Sequence, residues 1–351
     1  MEIVVVDDGS TDDTAAVAAH YSQVRYVWQE NQGLSAARNT GIRAGAGRRL
    51  VFLDADDRLL PDALEVGVRY LDAHPECAFV SGHFRLISAD GSVLEEWPPE
   101  KVGDRHYVEF LRRNYVAMHA TVMYDRVVFD AVGDFDVSLR ACEDYDLYMR
   151  IARRFPVGRH AGLTAEYRRH GTNMSDNSRL MLNTSLEVLS RQRPHVVGYR
   201  ESERALAHGV RFYRDYYGAG PLAQQASSQF RAGDRRGAAI SALTLLRNHP
   251  RGFAVRVGRR LRSAAQNLRS RAQMSVSSTG PETPPTVSVI MIFLNAERFL
   301  AESIESVLAQ TYPDWSCCSL TTGPRTAAAI LRRVAQRRTR TRYATSRALA
   351  L

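Results

Sequence analysis

An α/β fold with a mostly parallel sheet covered by helices on both faces is predicted for the first half of this 351-residue chain. Two observations predict it. Short apolar runs alternate with helix-period segments. Two of those runs, VVVDDGSTDD at 4–13 and VFLDADD at 51–57, also end in carboxylates. In such sheets ligands bind at the carboxyl ends of strands, so charge at those tips is hard to explain by folding alone.

The elements follow in order. Glu2–Val6 reads as a buried strand. A helix start follows over Ser10–Thr14, with Ser10 or Thr11 as N-cap, the Asp12–Asp13 pair favouring the dipole, and apolar residues recurring through Val17 to Tyr21. Val24–Trp28 is the next strand, Leu34–Ala44 a helix, and Arg49–Leu53 a strand. Pro61–Ala73 is a helix opened by proline, and Ala78–Ile87 a strand closed by the turn Ala89-Asp90-Gly91. This is the β-α-β-α-β order of a nucleotide-binding half-sheet. From Ser178 to about Arg269 long helical patterns rich in Arg, Leu and Ala define a helical annex over 178–270. The polar, proline-bearing stretch 271–286 is a linker. A strand pattern then resumes with VSVIMIFLN.

Composition narrows the function classes. The formal charge of +9 divides unevenly: residues 1–177 carry −8 and the remainder +17. The basic excess therefore lies outside the acidic motifs, and a nucleic-acid partner is not expected. Lys101 is the one lysine among the 47 basic residues, a bias that fits a G+C-rich genome better than selection for phosphate contacts. Cys77, Cys142, Cys317 and Cys318 have neither the number nor the spacing of a disulfide framework or a zinc site. No run of about 18 apolar residues and no signal-peptide pattern occurs, so the expected location is cytoplasmic, with peripheral association at the inner face of a membrane as its limit.

The acidic clusters suggest a chemistry. A leaving diphosphate gathers negative charge that a hard divalent cation stabilises, and such a cation needs only one or two protein carboxylates. Asp54 and Asp56 offer that chelate, with Asp57 free to cap the turn before Pro61; a solvated strand-to-helix loop is the bland alternative. Asp7 and Asp8 read either as helix-entry residues or as acceptors for a nucleobase N–H or ribose hydroxyl. The third cluster, CEDYDLYMR at 142–150, opens a helix whose other face, with Leu147 and Ile151, is core. A carboxylate at that helix mouth stays ionised beside free N–H groups and can serve as a base; dipole compensation alone is the alternative.

Taken together, VVDDGSTDD, ENQGLSAARNTGI, VFLDADD, VGDFDVSLRACEDYDLYMRIA and YRRHGTNMS resemble, in order and spacing, the family 2 glycosyltransferases of GT-A fold, over residues 2 to about 177. The resemblance implies a core over 1–177 in which Asp8 or Asp7 meets the nucleobase, Arg38 the base or diphosphate, Asp54 the ribose and Asp56 an Mg²⁺ or Mn²⁺ ion. It implies Asp144 as catalytic base with Glu143 beside it, and His170 at the metal or diphosphate. The implied partners are a nucleotide-sugar donor and a glycan or lipid-linked acceptor, with inversion at the anomeric carbon, in surface polysaccharide or glycolipid synthesis. The alternatives are an inactive sugar-nucleotide or glycan-binding remnant and, more remotely, a glycoside hydrolase, which needs no D-x-D chelate.

Members of that family begin with a strand and helix ahead of the position of Met1, so the core is expected to lack its first strand and helix. The missing pattern stands at 287–315, VSVIMIFLNAERFLAESIESVLAQTYPDW. It reads either as the opening of a second, interrupted GT-A-like module or as an element folding back into the vacant slot of the first. The basic tail 316–351 has eight arginines and no acidic residue. A lost reading frame is the expected origin, since codons for Trp-Ser-Cys-Cys-Ser-Leu-Thr-Thr-Gly can be chosen so that restoring one base gives Trp-Glu-Leu-Leu-Leu-Val-Asp-Asp-Gly, a near repeat of residues 2–9.

Overall fold

Alternate residues of the first strand face two different cores, and this period of two organises the molecule. The computed structural model describes residues 1–171, 173–249 and 286–312. In β1 (Glu2–Asp7), Val4 and Val6 enter one apolar cluster while Ile3 and Val5 enter the other. The same alternation separates Leu50 and Phe52 from Val51 and Leu53 in β3 (Arg49–Asp54). A sheet buried on both faces needs helices on both. The crossovers β1–α1–β2 and β2–α2–β3 supply part of them, through α1 (Thr14–Ala19), β2 (Val24–Trp28) and α2 (Leu34–Ala44).

Among the described residues the strands form one sheet in the order β2-β1-β9-β3-β7-β5-β8-β4, with β6 flanking β5. Here β4 is Arg58–Leu59, β5 Phe79–Ser88, β6 Val93–Glu95, β7 Val122–Asp125, β8 Gly158–Arg169 and β9 Val287–Phe293. The half β2-β1-β9-β3 is parallel throughout. Parallelism stops at β7, which runs antiparallel to both β3 and β5, so the sheet as a whole is mixed. Beyond it, β5 and β8 are again parallel. The α/β class is as expected, with the longest unbroken parallel stretch in the half β2-β1-β9-β3.

The C-terminal segment folds back. β9 lies between β1 and β3, pairing Val6 with Ile292 on one side and Asp54 with Ile292 on the other, and all seven of its residues are buried. Its fit is made by small residues. A Cβ at Gly41 of α2 would lie 2.1 Å from Ile290 Cγ2, and one at Gly47 would lie 2.5 Å from the Ser288 backbone nitrogen. Glu2 accepts hydrogen bonds from Ser288 Oγ and the Gly47 amide (3.0 Å). After the strand, α12 (Leu300–Leu308) buries Leu300, Ile304 and Val307 on the sheet face opposite α2. Ser303 Oγ donates to the carbonyls of Ala55 (2.8 Å) and Asp57 (2.6 Å), and Gln310 Nε2 donates to that of Leu60 (2.7 Å).

That docking displaces one sequence expectation. Helix α1 starts at Thr14, with Asp13 as N-cap, rather than from Ser10 or Thr11. Both earlier residues are engaged by the turn after β9: Ser10 Oγ accepts from the Asn295 amide (2.8 Å), and the Thr11 amide donates to Asn295 Oδ1 (2.8 Å). Similarly α3 spans Ala63–Ala73, beginning just after the proline that was expected to open it.

The annex includes α7 (Ser178–Arg191), α8 (Arg193–Val196), α9 (Arg200–Tyr217), α10 (Ala223–Arg231) and α11 (Arg235–Asn248). Its Leu182, Val188, Leu189 and Tyr213 share a core with Val4, Phe52 and Ile290. A Cβ at Gly209 would come within 2.1 Å of the Leu111 carbonyl, so glycine is what lets α9 sit against α4 (His106–Arg112). The expected linker 271–286 lies outside the described residues except for Thr286, as does the whole tail 316–351. Among the described residues no helix is long and apolar enough to cross a membrane.

Candidate functional site

A cavity of about 680 Å³ opens where the tips of β3 and β9 meet the start of α6 (Glu143–Ala152). Its lining brings together Arg38, Asp54, Asp56, Glu143, Asp144 and His170, six of the residues singled out in the sequence. Asp7 and Asp8 are not in that lining. Asp7 accepts from the Ser10 amide (2.7 Å) and the Tyr26 hydroxyl (2.5 Å). Asp8 accepts from Gln29 Nε2 (2.6 Å) and from the amides of Gln32 (3.0 Å) and Gly33 (2.8 Å). Both carboxylates are buried, and these hydrogen bonds shape the loops around β1 and β2.

The backbone around the cavity is strained in a telling way. Ala117, Cys142 and Asn295 are the non-glycine residues with positive φ among those described, at 60°, 58° and 54°, and all three line the cavity. Such conformations cost on the order of 1 kcal/mol each and cluster where a side chain must be aimed. At Cys142 the left-handed turn immediately precedes Glu143 and Asp144.

Arg38, 2% exposed, ties the two acidic clusters together. Its guanidinium pairs with Glu143 and, at 3.0 Å, with Asp54. A buried charge of this kind persists only when matched, so one arginine on α2 holds the tip of β3 and the mouth of α6 in register. Asp54 is thereby committed to Arg38, and the side chain that meets Asp56 is His170, with Nε2 2.7 Å from Oδ2. The His170 ring stacks on Phe299, centroids 5.4 Å apart. Asp57 does not cap the turn before Pro61. It is buried, and its Oδ1 accepts from the Arg168 amide of β8 (2.8 Å), stapling the acidic loop to the neighbouring strand.

The protonation states follow from these surroundings. Burial, and then the charge of Glu143, push the Asp144 carboxyl up to about 7 against the pull of Arg38. The expectation that the helix mouth keeps Asp144 ionised is thus corrected: desolvation outweighs the dipole, and the group is poised near neutrality. Burial and Asp54 raise Asp56, with His170 opposing. Burial lowers His119 well below its ordinary value, with Arg38 adding, so this cavity-lining imidazole is neutral.

Among the described residues no group of three or more His, Cys, Asp or Glu is arranged as a metal cage. Asp56 and His170 nevertheless suit a divalent ion that draws its other ligands from phosphate and water. One offers a hard oxygen, the other an imidazole nitrogen, they converge at the cavity, and the Asp56 carboxylate has a burial cost that a cation would offset. Ala117, Met118 and His119 on one wall carry no sequence motif, and Asn173 and Met174 on another lie in the segment YRRHGTNMS, from which only His170 was singled out. The contribution of residues 292–299 was foreshadowed only by the repeat.

A parallel α/β half-sheet with carboxylates gathered at its strand tips has the architecture in which open sheets take ligands at their carboxyl ends. Residues 1–133 match the sequence model of Glycosyl transferase family 2. Chondroitin synthase of Escherichia coli is 28% identical over 182 residues, covering 50% of this chain and 26% of that protein. A putative teichuronic acid biosynthesis glycosyltransferase, TuaG of Bacillus subtilis, is 28% identical over 185 residues, covering 50% of this chain and 70% of the relative. An uncharacterized glycosyltransferase of Rickettsia felis is 29% identical over 162 residues, covering 45% of this chain and 26% of the relative. The chain thus spans about a quarter of the length of the Rickettsia and Escherichia relatives. Among solved structures, S. aureus TarS is similar with a TM-score of 0.49 and 13% identity, covering 72% of this chain and 48% of that one. A Pyrobaculum calidifontis mannosyltransferase, PcManGT, solved with GDP-Man and Mn²⁺, has a TM-score of 0.43 and 16% identity, covering 75% of this chain and 79% of that one.

Proposed function

We propose that this chain is a metal-dependent glycosyltransferase that moves a sugar from a nucleotide-diphosphate donor to a hydroxyl acceptor, with inversion at the anomeric carbon, in the synthesis of a surface polysaccharide or glycolipid. The observation that carries the reading is the single cavity in which Asp56 and His170 stand at one end and a neutral-poised Asp144 at another, joined through Arg38. The match of residues 1–133 to Glycosyl transferase family 2 supports it, as do relatives named for chondroitin and teichuronic acid. The acceptor class, a glycan or lipid-linked glycan, and peripheral attachment at the inner face of a membrane are part of the same proposal.

In the mechanism, Asp144 takes the proton from the acceptor hydroxyl as its oxygen attacks the anomeric carbon from the face opposite the leaving diphosphate, which gives inversion. A base near pH 7 is well matched to that transfer. Glu143 holds Arg38, and Arg38 holds Asp54 at the edge of the donor space, where its outer oxygen is available to a ribose hydroxyl. Asp56 and His170 would hold Mg²⁺ or Mn²⁺, which when bound supplies positive charge for the departing diphosphate. The segment 287–312 completes the donor site by lending its strand tip and the turn after it.

Transfer from a panel of nucleotide sugars in the presence of Mn²⁺ or Mg²⁺ tests the proposal. Asp144→Asn is expected to lower the rate roughly 10²- to 10⁴-fold with donor binding kept. Binding without transfer by either protein would support the alternative, a sugar-nucleotide-binding remnant, and transfer unaffected by chelation would remove the metal from the scheme.

A further inference from the structure

The charges lining the cavity leave one requirement unmet. Its walls hold Asp54, Asp56, Asp57, Glu143 and Asp144, whereas the donor proposed above carries an anionic diphosphate. Arg38 is committed to Asp54 and Glu143, and His170 to Asp56. One other cation is on the lining. Arg298, in the turn between β9 and α12, is exposed, and among the described residues it has no carboxylate within 4.0 Å. Its guanidinium lies 4.8 Å from the centroid of Phe299, the ring on which His170 stacks. Phe299 is held in turn by Arg168, 4.9 Å from the same centroid, and Arg168 pairs with Glu302 at 2.6 Å. Arg298 therefore rests on a ring that also positions the imidazole beside Asp56, at the end of the cavity where the diphosphate would lie.

We infer that Arg298 is a donor-binding residue whose guanidinium engages the phosphate oxygens of the nucleotide diphosphate, with Phe299 as the platform that sets its position. The planar fork of arginine suits two phosphate oxygens at once, and stacking on an aromatic face lowers the entropy lost when it binds. The segment that supplies it, 286–312, is reached only through residues far along the chain, so the phosphate contact links the donor to the fold-back itself. The inference rests on the reading of the cavity as a donor site and adds the group that recognises the diphosphate.

Calorimetric titration of the full chain with UDP and GDP in Mn²⁺, beside uridine and guanosine, tests it. Arg298→Ala is expected to weaken the diphosphate that the wild type binds by about tenfold to a hundredfold, with Arg298→Lys intermediate and the nucleoside unchanged. Because the side chain is exposed, the circular dichroism melt of the alanine variant should match the wild type. Diphosphate binding equal to that of the wild type in Arg298→Ala would overturn the inference while leaving the donor site standing. Equal loss of diphosphate and nucleoside would also overturn it, since that marks a change of shape rather than of phosphate recognition. If the wild type binds neither diphosphate, the donor-site reading fails as well, and the absence of any wild-type signal tells that failure apart.

Discussion

Asp144 carries the chemistry proposed for this protein because of what surrounds it rather than because of where it sits on its helix. Burial and Glu143 raise it to about 7, and Arg38 keeps it from rising further. The rate kcat/KM should therefore climb as pH increases through about 7, and Asp144→Asn should remove that limb along with the activity. A stability signature accompanies it. A carboxyl raised in the folded state binds its proton more tightly there than when unfolded, so its stabilising contribution is complete below the ordinary carboxylate range and is lost as pH rises through about 7. Urea melts should then show Asp144→Asn more stable than the wild type at pH 8, with the difference shrinking and reversing as pH falls toward 4. A constant difference across that range would show that Asp144 titrates normally. The identity of this carboxylate was legible from the cluster at 142–150, but its poise was not. Its desolvation comes from burial in the folded cavity, whose wall at residues 117–119 carries no motif. Asp7 and Asp8 show the converse. The spacing that singles them out also suits loop-shaping acceptors, and hydrogen bonds from Gln29, Gln32 and Gly33 are invisible until the chain is folded.

At the scale of elements, the parallel half-sheet depends on one helix–strand contact. Gly41 brings α2 against β9 so closely that a methyl group there would meet Ile290 Cγ2 at 2.1 Å. Gly41→Ala is expected to cost about 1–3 kcal/mol by overpacking, measured by denaturant unfolding, and Ile290→Ala to cost about 2–5 kcal/mol through the cavity it leaves. Combined, the two should cost clearly less than their separate effects together, because each relieves the other's fault. Additive losses would place β9 elsewhere than beside α2. Individual strands such as Glu2–Asp7 and Arg49–Asp54 were readable because a run buried on both faces is apolar throughout. Their neighbours were not, since pairing β1 with a strand some 285 positions away in sequence has no local signal. The start of α1 slipped for the same reason: Ser10 and Thr11 have good capping chemistry, and Asn295 competes for it.

For the whole molecule, the decisive feature is that residues 286–312 occupy the middle of the sheet rather than its edge. Removing them would separate β1 from β3 and uncover two apolar faces at once. The buried residues of β9, with Leu300, Ile304 and Val307 of α12, represent hydrophobic stabilisation on the order of 20 kcal/mol at about 2 kcal/mol per side chain, an upper bound because unfolded chains already hide some of that surface. That exceeds the roughly 5–15 kcal/mol by which domains are stable. A chain ending at Arg269 is accordingly expected to lose its cooperative thermal transition, to bind the apolar dye ANS, and to bind no nucleotide. If it instead melts at the temperature of the full chain, the slot between β1 and β3 is not filled by this segment, and the cavity walls formed by Phe293, Asn295 and Phe299 are lost from the proposed donor site. The repeat at 287–315 made the two arrangements conceivable from sequence. What selects the fold-back is complementarity that only three dimensions reveal: Glu2 with Ser288, Ser10 with Asn295, Glu302 with Arg168, and Gln310 with Leu60. Each of these joins the first half of the chain to its far end.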